Sequence, residues 1–192
     1  MKLIVGISGA TGAIYGIRLL EVLQTLGVEV HLLLTEAGKK TIRLETDYEL
    51  QRIEKLATEV HDVKNIAASI ASGSFRTDGM IIAPCSIKSL SAIAHSYNEN
   101  LLIRAADVTL KEGRKLVLVV RETPLHAGHL LLMAGVAKMG GVILPPMPAF
   151  YHHPKTIEDI IDQTVGKILD QFGLEHNLFH RWHGINCHGQ AE

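Results

Sequence analysis

The chain has 192 residues, of which 47% are hydrophobic and 20% charged, so one domain with its own core is expected, without a disulfide or metal to hold it. Nineteen Lys and Arg against 20 Asp and Glu give a formal net charge of −1, which argues against a basic face for duplex nucleic acid or anionic lipid. No apolar run approaches the ~20 residues that span a bilayer, and the two cysteines form no CxxC metal pair. A cytoplasmic protein is expected.

Strand-like and helix-like segments alternate along the chain. Apolar runs predict strands at residues 3–7, 28–34, 79–83, 115–120 and 142–144, and helical spacing predicts helices at 12–26, 125–139 and 156–172. Thr35 could cap a helix after the second strand, and Asp47 could start another helix through Leu56. This alternation predicts a three-layer αβα sandwich around a parallel sheet, of flavodoxin or Rossmann type. The pattern fades after residue 173, which leaves a tail at 174–192.

The turn after the first strand, residues 6–12 (GISGATG), carries the strongest indication of chemistry. Its glycines let backbone N–H groups approach an anion at a helix N-terminus, and Ser8 and Thr11 add hydroxyl donors. The turn therefore predicts a phosphate cradle, with a purely structural turn as the alternative. The spacing is GxxGxxG rather than GxGxxG, and Thr35 ends the second strand where an acidic residue would bind a ribose. Both features favour a mononucleotide such as FMN over NAD.

The other strands also end in polar or aromatic residues. Residues 84–89 (PCSIKS) follow the third strand, Arg121 and Glu122 follow the fourth, and a proline-rich loop with Phe150 and Tyr151 follows the fifth. The carboxyl ends of parallel strands line one crevice in this type of fold. The sequence therefore predicts a single site at that edge of the sheet.

Six stretches together resemble one known family. They are GISGATGAIYG, APCSIKSLSAIAHSY, NLLIRAADVTLKE, LVLVVRETPLHAGHL, PPMPAFYHHP and TVGKILDQFG, and they cover most of residues 1–173. In content and order they resemble the UbiX family of flavin prenyltransferases, some of which carried the older name phenylacrylic acid decarboxylase. Thr11 stands where such members carry Ser, and this difference keeps the hydroxyl.

The resemblance implies a flavodoxin-like fold that binds FMN as a single domain over residues 1–173. It implies metal-independent transfer of a dimethylallyl group from dimethylallyl phosphate to N5 and then C6 of reduced FMN. The product, prenylated FMN, would serve a UbiD-type decarboxylase of aromatic or unsaturated acids. A homododecamer with sites at subunit contacts is also implied, as is a tail at 174–192 that partly covers the site.

The resemblance further implies roles for single residues. Flavin binding falls to Gly9, Ala10, Thr11, Thr35, Ser86, Ile87, Lys88, Ser89 and Arg121. Binding of the prenyl phosphate falls to Tyr151 and Lys167, with Arg104 as a further basic residue lining the site. The expected catalytic residues are Glu45 and Glu122 for proton transfer, Lys111 for charge stabilisation, and Trp182 as an aromatic cover.

Several alternatives stay open at the level of the sequence. His126 and His129 are one helical turn apart, but a structural interpretation is favoured over a metal site, as it is for the histidines of the tail. Cys85 is expected to pack near the flavin rather than act as a nucleophile. The rival functions are an FMN-dependent decarboxylase and a non-catalytic, flavin-carrying subunit of a decarboxylase.

Overall fold

The computed structural model describes residues 1–182 and 184. The chain divides into two compact units, Met1–Pro145 and Pro146–Glu192. The predicted domain over 1–173 and its covering tail stay predictions, and residues 183 and 185–192, with Cys187, lie outside the described residues. Among the described residues, no helix is long and apolar enough to cross a membrane.

The first unit contains a parallel sheet of six strands: β1 Lys2–Ile7, β2 Glu29–Leu34, β3 Glu59–His61, β4 Gly79–Cys85, β5 Lys115–Val120 and β6 Val142–Ile143. Their order in the sheet is β3-β2-β1-β4-β5-β6. β1 and β4 are neighbours, and the chain winds away from them in opposite directions, so their boundary is a topological switch point. The strand order therefore predicts a ligand crevice beyond the carboxyl ends of β1 and β4.

Helices flank the sheet, which confirms the predicted α/β fold. Thr35 caps the helix that follows it, α2 (Glu36–Glu45), as predicted, because its hydroxyl oxygen accepts from the Gly38 N–H at 2.9 Å. A helix lies within the segment predicted from Asp47 through Leu56, but Asp47 does not start it: the helix spans only Leu50–Glu54. The helices are α1 Ala13–Thr25, α2 Glu36–Glu45, α3 Leu50–Glu54, α4 Ile87–Ala94, α5 Leu101–Lys111, α6 Ala127–Lys138 and, in the second unit, α7 Ile157–Asp170.

The core of the first unit is aliphatic. The central strands β1, β4 and β5 are covered on both faces, so nearly all of their residues are buried, and apolar and polar residues do not alternate along them. Helix α1 packs closely on β4: a Cβ at Gly16 would lie 2.2 Å from the Ala83 carbonyl oxygen. Helix α5 also belongs to the core, with Leu101, Leu102 and Ile103 fully buried. This close packing fixes the turns at the strand ends, where the polar residues lie.

Candidate functional site

A crevice of about 520 Å³ lies at the carboxyl ends of β1, β2, β4 and β5. Its size falls within the ~300–1,000 Å³ usual for small-molecule sites, and it lies at the switch point. The structure brings these predicted residues together along it: Gly9, Thr35, Ser86, Ile87, Lys88, Ser89 and Glu122. Sequence reasoning missed other polar residues of its wall, namely Glu36, Lys64, Glu99 and Asn100.

The turn that opens α4 offers a site for an anion. The Ser86 hydroxyl oxygen accepts from the Ser89 N–H at 3.2 Å and so caps the helix. The N–H groups of Ile87 and Lys88, in the first helical turn, have no carbonyl partner within the helix. The positive end of the helix dipole adds to their attraction for negative charge. The Lys88 ammonium lies 3.2 Å from the Glu99 carboxylate at the crevice rim.

The turn that opens α1 is already partly occupied by a side chain. Gly12 takes a left-handed conformation with φ 93° and leaves the helix without a local side-chain cap. The Glu45 carboxylate, from the end of α2, accepts from the N–H of Gly12 at 2.8 Å and of Ala13 at 3.2 Å. The predicted proton-transfer residue Glu45 is therefore bound to the same turn as Thr11.

Ser8 joins the two turns. It is 1% exposed, and its hydroxyl donates to the Pro84 carbonyl at 2.9 Å and accepts from the Ser86 N–H at 2.8 Å. The prediction that Ser8 offers its hydroxyl to a phosphate is therefore wrong, because both contacts lie within the chain. Next to it, a Cβ at Gly9 would approach Ala37 Cβ to 2.3 Å, so this position requires glycine.

The end of β5 supplies a basic and an acidic side chain. Burial raises the pKa of Tyr15 on α1, and the positive charge of Arg121 opposes that rise. Arg121 is thus close enough to α1 to act on a phenol there. Glu122 is exposed at the crevice and accepts from the Thr123 N–H at 3.1 Å. Its carboxylate can reach solvent, as a proton acceptor must.

Two predicted basic residues lie away from this crevice in the chain. Arg104 donates to the Ala71 carbonyl at 3.1 Å and to Asp107 at 3.0 Å. Lys111 forms an ion pair with Glu112 at the C-terminal end of α5. The crevice lies at the opposite end of this helix, where it contacts Asn100. Neither lines the crevice of its own chain, and their roles stay predictions.

Cys85 is not an activated nucleophile. Its thiol is fully buried at the end of β4, and burial raises its pKa to about 12. A thiol with such a pKa stays protonated at neutral pH. The packing role predicted for Cys85 agrees with this environment.

In the second unit, charged side chains gather around Asp170 at the end of α7. Its carboxylate lies 2.7 Å from Arg181, 3.2 Å from His176 and 3.3 Å from the Lys167 ammonium. The hydrogen bond from Arg181 is the main cause that lowers the pKa of Asp170 to about 2, and Lys167 and His176 add to it. Asp170 and Arg181 were missed by sequence reasoning, although Lys167 and Asp170 at i and i+3 on a helix predict an ion pair.

The two aromatic residues predicted for the site belong to this second unit and contact one another. The rings of Tyr151 and Trp182 meet edge to face, with centroids 6.2 Å apart and an interplanar angle of 80°. Both are partly exposed, at 41% and 52%. They present an aromatic surface near Arg181, with which Tyr151 interacts electrostatically.

His126 has the structural role that the sequence favoured. Its Nδ1 accepts from the Gly128 N–H at 3.0 Å, and the residue caps α6. An imidazole nitrogen that accepts this bond is not free to bind a metal.

Comparisons with known proteins extend this description. Residues 1–169 match the family described as Flavoprotein. The flavin prenyltransferase UbiX of Thauera aromatica is 63% identical over 184 residues, covering 96% of this chain and 95% of the relative.

Two solved structures share the fold almost completely. A dodecameric FMN-dependent UbiX-like decarboxylase from Escherichia coli O157:H7 superimposes with a TM-score of 0.94 at 53% identity, covering 96% of this chain and all of that one. AnUbiX in complex with FMN and dimethylallyl pyrophosphate has a TM-score of 0.94 at 49% identity, covering 95% of this chain and 97% of that one. The chain therefore belongs to the flavoprotein family and, within it, to the UbiX flavin prenyltransferases.

Proposed function

We propose that this protein transfers the dimethylallyl group of dimethylallyl phosphate to N5 and C6 of reduced FMN and so makes prenylated FMN. The observation that carries the proposal is the 63% identity to a flavin prenyltransferase over nearly the whole chain. The crevice at the switch point of the sheet gives it a physical basis, because it offers helix N-termini and hydroxyl groups to a phosphorylated ligand.

FMN is the proposed ligand of this crevice. Thr35, Ser86 and Ser89 line it with hydroxyl groups, and the first turn of α4 adds backbone donors. Its volume and donor set fit a phosphorylated aromatic ligand. When bound, reduced FMN supplies the nucleophilic N5 and C6 atoms. The chain's own task is then to hold the ring, shield it from water and place the second substrate.

Cations of the chain would stabilise the departing phosphate. Negative charge develops on the leaving group as its C–O bond breaks, and fixed cations stabilise that charge without reorganising. Lys167 and Tyr151 are proposed to hold the phosphate, with Arg121, Arg104 and Lys111 as further basic residues. Since Lys167 lies 3.3 Å from Asp170, the phosphate would compete with that carboxylate for its ammonium.

An aromatic face and a carboxylate complete the proposed chemistry. The dimethylallyl fragment gains cationic character, which the ring of Trp182 would stabilise. Re-forming the aromatic ring at C6 requires loss of a proton, and Glu122 or Glu45 would accept it. Glu122 is the more exposed to the crevice, whereas Glu45 is bound to the turn before α1.

The product, the assembly and the compartment are proposed together. A UbiD-type decarboxylase would receive the prenylated FMN, and both proteins would work in the cytoplasm. The similar structure from Escherichia coli O157:H7 is dodecameric, and we propose the same assembly here. Leu130 and Leu131 on α6 are 53% and 73% exposed, which supports a surface covered by another copy. A monomer in light scattering at micromolar concentration would contradict this assembly.

The second candidate is a decarboxylase that uses FMN directly. It is favoured by one observation, that the similar Escherichia coli O157:H7 structure is described as an FMN-dependent decarboxylase. A flavin-carrying subunit without activity is the third candidate. Neither the decarboxylase nor the flavin-carrying subunit would cleave a prenyl phosphate, so the three functions can be distinguished by their products.

Two products distinguish the candidates. The purified chain is mixed with reduced FMN and dimethylallyl phosphate, and free phosphate is measured over time. A parallel reaction holds hydroxybenzoic and cinnamic acids, and carbon dioxide is measured. We expect phosphate release that depends on reduced FMN, and no carbon dioxide. Carbon dioxide release by the chain alone would support the decarboxylase, and neither product would support the carrier. Dimethylallyl pyrophosphate replaces the monophosphate in a third reaction, since AnUbiX was crystallised with it.

A further inference from the structure

Two buried histidines and a glutamate meet at one edge of the sheet, away from the crevice. The parallel pairing of β2 with β3 sets His31 opposite Glu59 and Leu33 opposite His61. Alternate strand residues share a face, so His31, Glu59 and His61 all project to the same side. His31 precedes Thr35 of the crevice by four residues, or about 13 Å along the strand at ~3.3 Å per residue.

The side-chain atoms of these residues are already close. His31 Nδ1 lies 2.9 Å from His61 Nε2 and 3.4 Å from the Glu59 Oε2 atom. The two rings are inclined by only 19°, so their nitrogens point at one another nearly in plane. The side chains of His31 and His61 are 3% and 5% exposed, whereas that of Glu59 is 55% exposed. One nitrogen or oxygen from each of the three residues falls within a span of 4.8 Å.

A second carboxylate fixes the orientation of His31. Its Nε2 lies 3.2 Å from Glu29, which in turn lies 2.9 Å from the Lys2 ammonium. A carboxylate at Nε2 holds the proton there and leaves the Nδ1 lone pair directed at His61 and Glu59. The rings of Phe75 and His31 lie nearly perpendicular, with centroids 5.1 Å apart, so an aromatic ring packs against His31.

We propose that His31 Nδ1, His61 Nε2 and the Glu59 carboxylate bind a divalent transition-metal ion, with Zn²⁺ as the best match. Two imidazoles and one carboxylate are a usual zinc set, and exposure of Glu59 leaves a fourth position for water. A tetrahedral ion with bonds of ~2.1 Å needs nitrogens about 3.4 Å apart, so the rings separate by about 0.5 Å. When the ion binds, the proton in the hydrogen bond between His31 Nδ1 and His61 Nε2 would move to Nδ1 of His61, so the pair of rings loses no proton.

The ion would strengthen the edge of the sheet rather than take part in the reaction. β3 has only three residues, and the proposed ligands join it to β2. A metal ion that binds the folded chain but not the unfolded chain stabilises the folded state. The distance from the crevice separates this role from the flavin chemistry, so it does not depend on the proposed function.

The test measures Zn²⁺ binding to the full chain in competition with a chromophoric chelator. Glu59→Gln removes an exposed ligand and should eliminate one bound equivalent per chain. Glu29→Gln leaves the ligands and removes the orienting carboxylate, so the affinity should fall about 10- to 100-fold. Glu49→Gln is the control, an exposed carboxylate whose side chain makes no capping hydrogen bond to α3.

Other histidines of the chain can also bind zinc, so the result lies in the difference between variants. Circular dichroism first establishes that each variant is folded, and His61→Gln provides a second removal of a ligand. Zn²⁺ should raise the melting temperature of the wild type and of Glu49→Gln more than that of Glu59→Gln. The proposal is overturned if wild type, Glu59→Gln and His61→Gln bind the same number of zinc ions with the same affinity.

Discussion

The two units of the chain prepare for anions in different ways. In the first unit, backbone N–H groups at the starts of α1 and α4 are the donors, and side chains of the chain already contact both turns. In the second unit, the cations Lys167 and Arg181 are long side chains gathered on one carboxylate, Asp170. Backbone donors have fixed positions, whereas side-chain cations can exchange one carboxylate for another anion. The difference suits a flavin that is held in place during the transfer and a second substrate whose phosphate must leave.

The strongest change we expect is a loss of flavin from the first unit when Thr11, in the turn before α1, is replaced. Thr11→Asp would add a carboxylate to the turn predicted from the sequence to hold the flavin phosphate, where Glu45 already binds the Gly12 N–H, so the flavin content after purification should fall more than tenfold. Thr11→Ser keeps the hydroxyl and is the control. Flavin is released by denaturation and measured by absorbance. Normal flavin content in Thr11→Asp would place the phosphate elsewhere.

Lys167→Ala should have the opposite profile. The lost ammonium would bind the prenyl phosphate, so product formation should fall about ten- to a hundredfold, or ~1.5–3 kcal/mol, while FMN stays bound. Lys155→Ala, an exposed lysine of the same unit, is the control. Flavin content and initial rate are measured on the same samples. If Lys167→Ala lost its flavin as well as its initial rate, the proposed assignment of flavin binding and prenyl-phosphate binding to different regions would be contradicted.

A pH series tests the ion pairs of the second unit. The folded pKa of Asp170 is about 2, below its ordinary 3.8, so its ion pairs stabilise the fold fully above about pH 5 and are lost as the pH falls to about 2. Asp170→Asn should lower the free energy of unfolding in urea at pH 7. Roughly half of that difference should remain at pH 3.

The control for this series is Glu158→Gln, an exposed carboxylate in the first turn of the same helix. It should not reproduce the decline between pH 5 and pH 3. A difference between wild type and Asp170→Asn that stays constant over this range would contradict the assigned ion pairs.

The smallest effect concerns the carboxylate that caps α1. Glu45→Gln keeps an oxygen acceptor and removes the charge, so the free energy of unfolding should fall by ~0.3–1 kcal/mol at low salt. Added salt screens the charge at this exposed site and should reduce the difference between the variant and the wild type. Urea denaturation at two ionic strengths measures both. A difference unaffected by salt would mean that Glu45 acts through packing.

The fold was predictable where local pattern decides it. β5 has the predicted bounds, Lys115–Val120, because a buried parallel strand is a continuous apolar run. β3 was missed because Glu59–His61 is short and polar and forms only by pairing with β2. Helix α5 mixes charged and apolar residues and is nevertheless mostly buried, since its apolar residues pack against the sheet. Such burial depends on the tertiary structure.

The site shows the same division. The glycines and hydroxyls of both turns were predictable from their places after strands. The bonds that decide which donors remain open were not, because Glu45 and Gly12 are 33 residues apart and Ser8 and Pro84 are 76 apart. No local pattern connects such residues. The crevice walls at Lys64 and Asn100 likewise depend on how the chain returns to the sheet.

The mass of the flavin product shows whether the chain transfers a prenyl group to the flavin. The chain is incubated without oxygen with reduced FMN and dimethylallyl phosphate, the flavin is extracted, and its mass is compared with that from Lys167→Ala and from a reaction without protein. We expect the flavin to gain one C5 unit with the wild type. We expect far less of that product with Lys167→Ala, and unchanged FMN without protein. A flavin of unchanged mass from the folded, FMN-loaded wild type would contradict the assignment as a prenyltransferase.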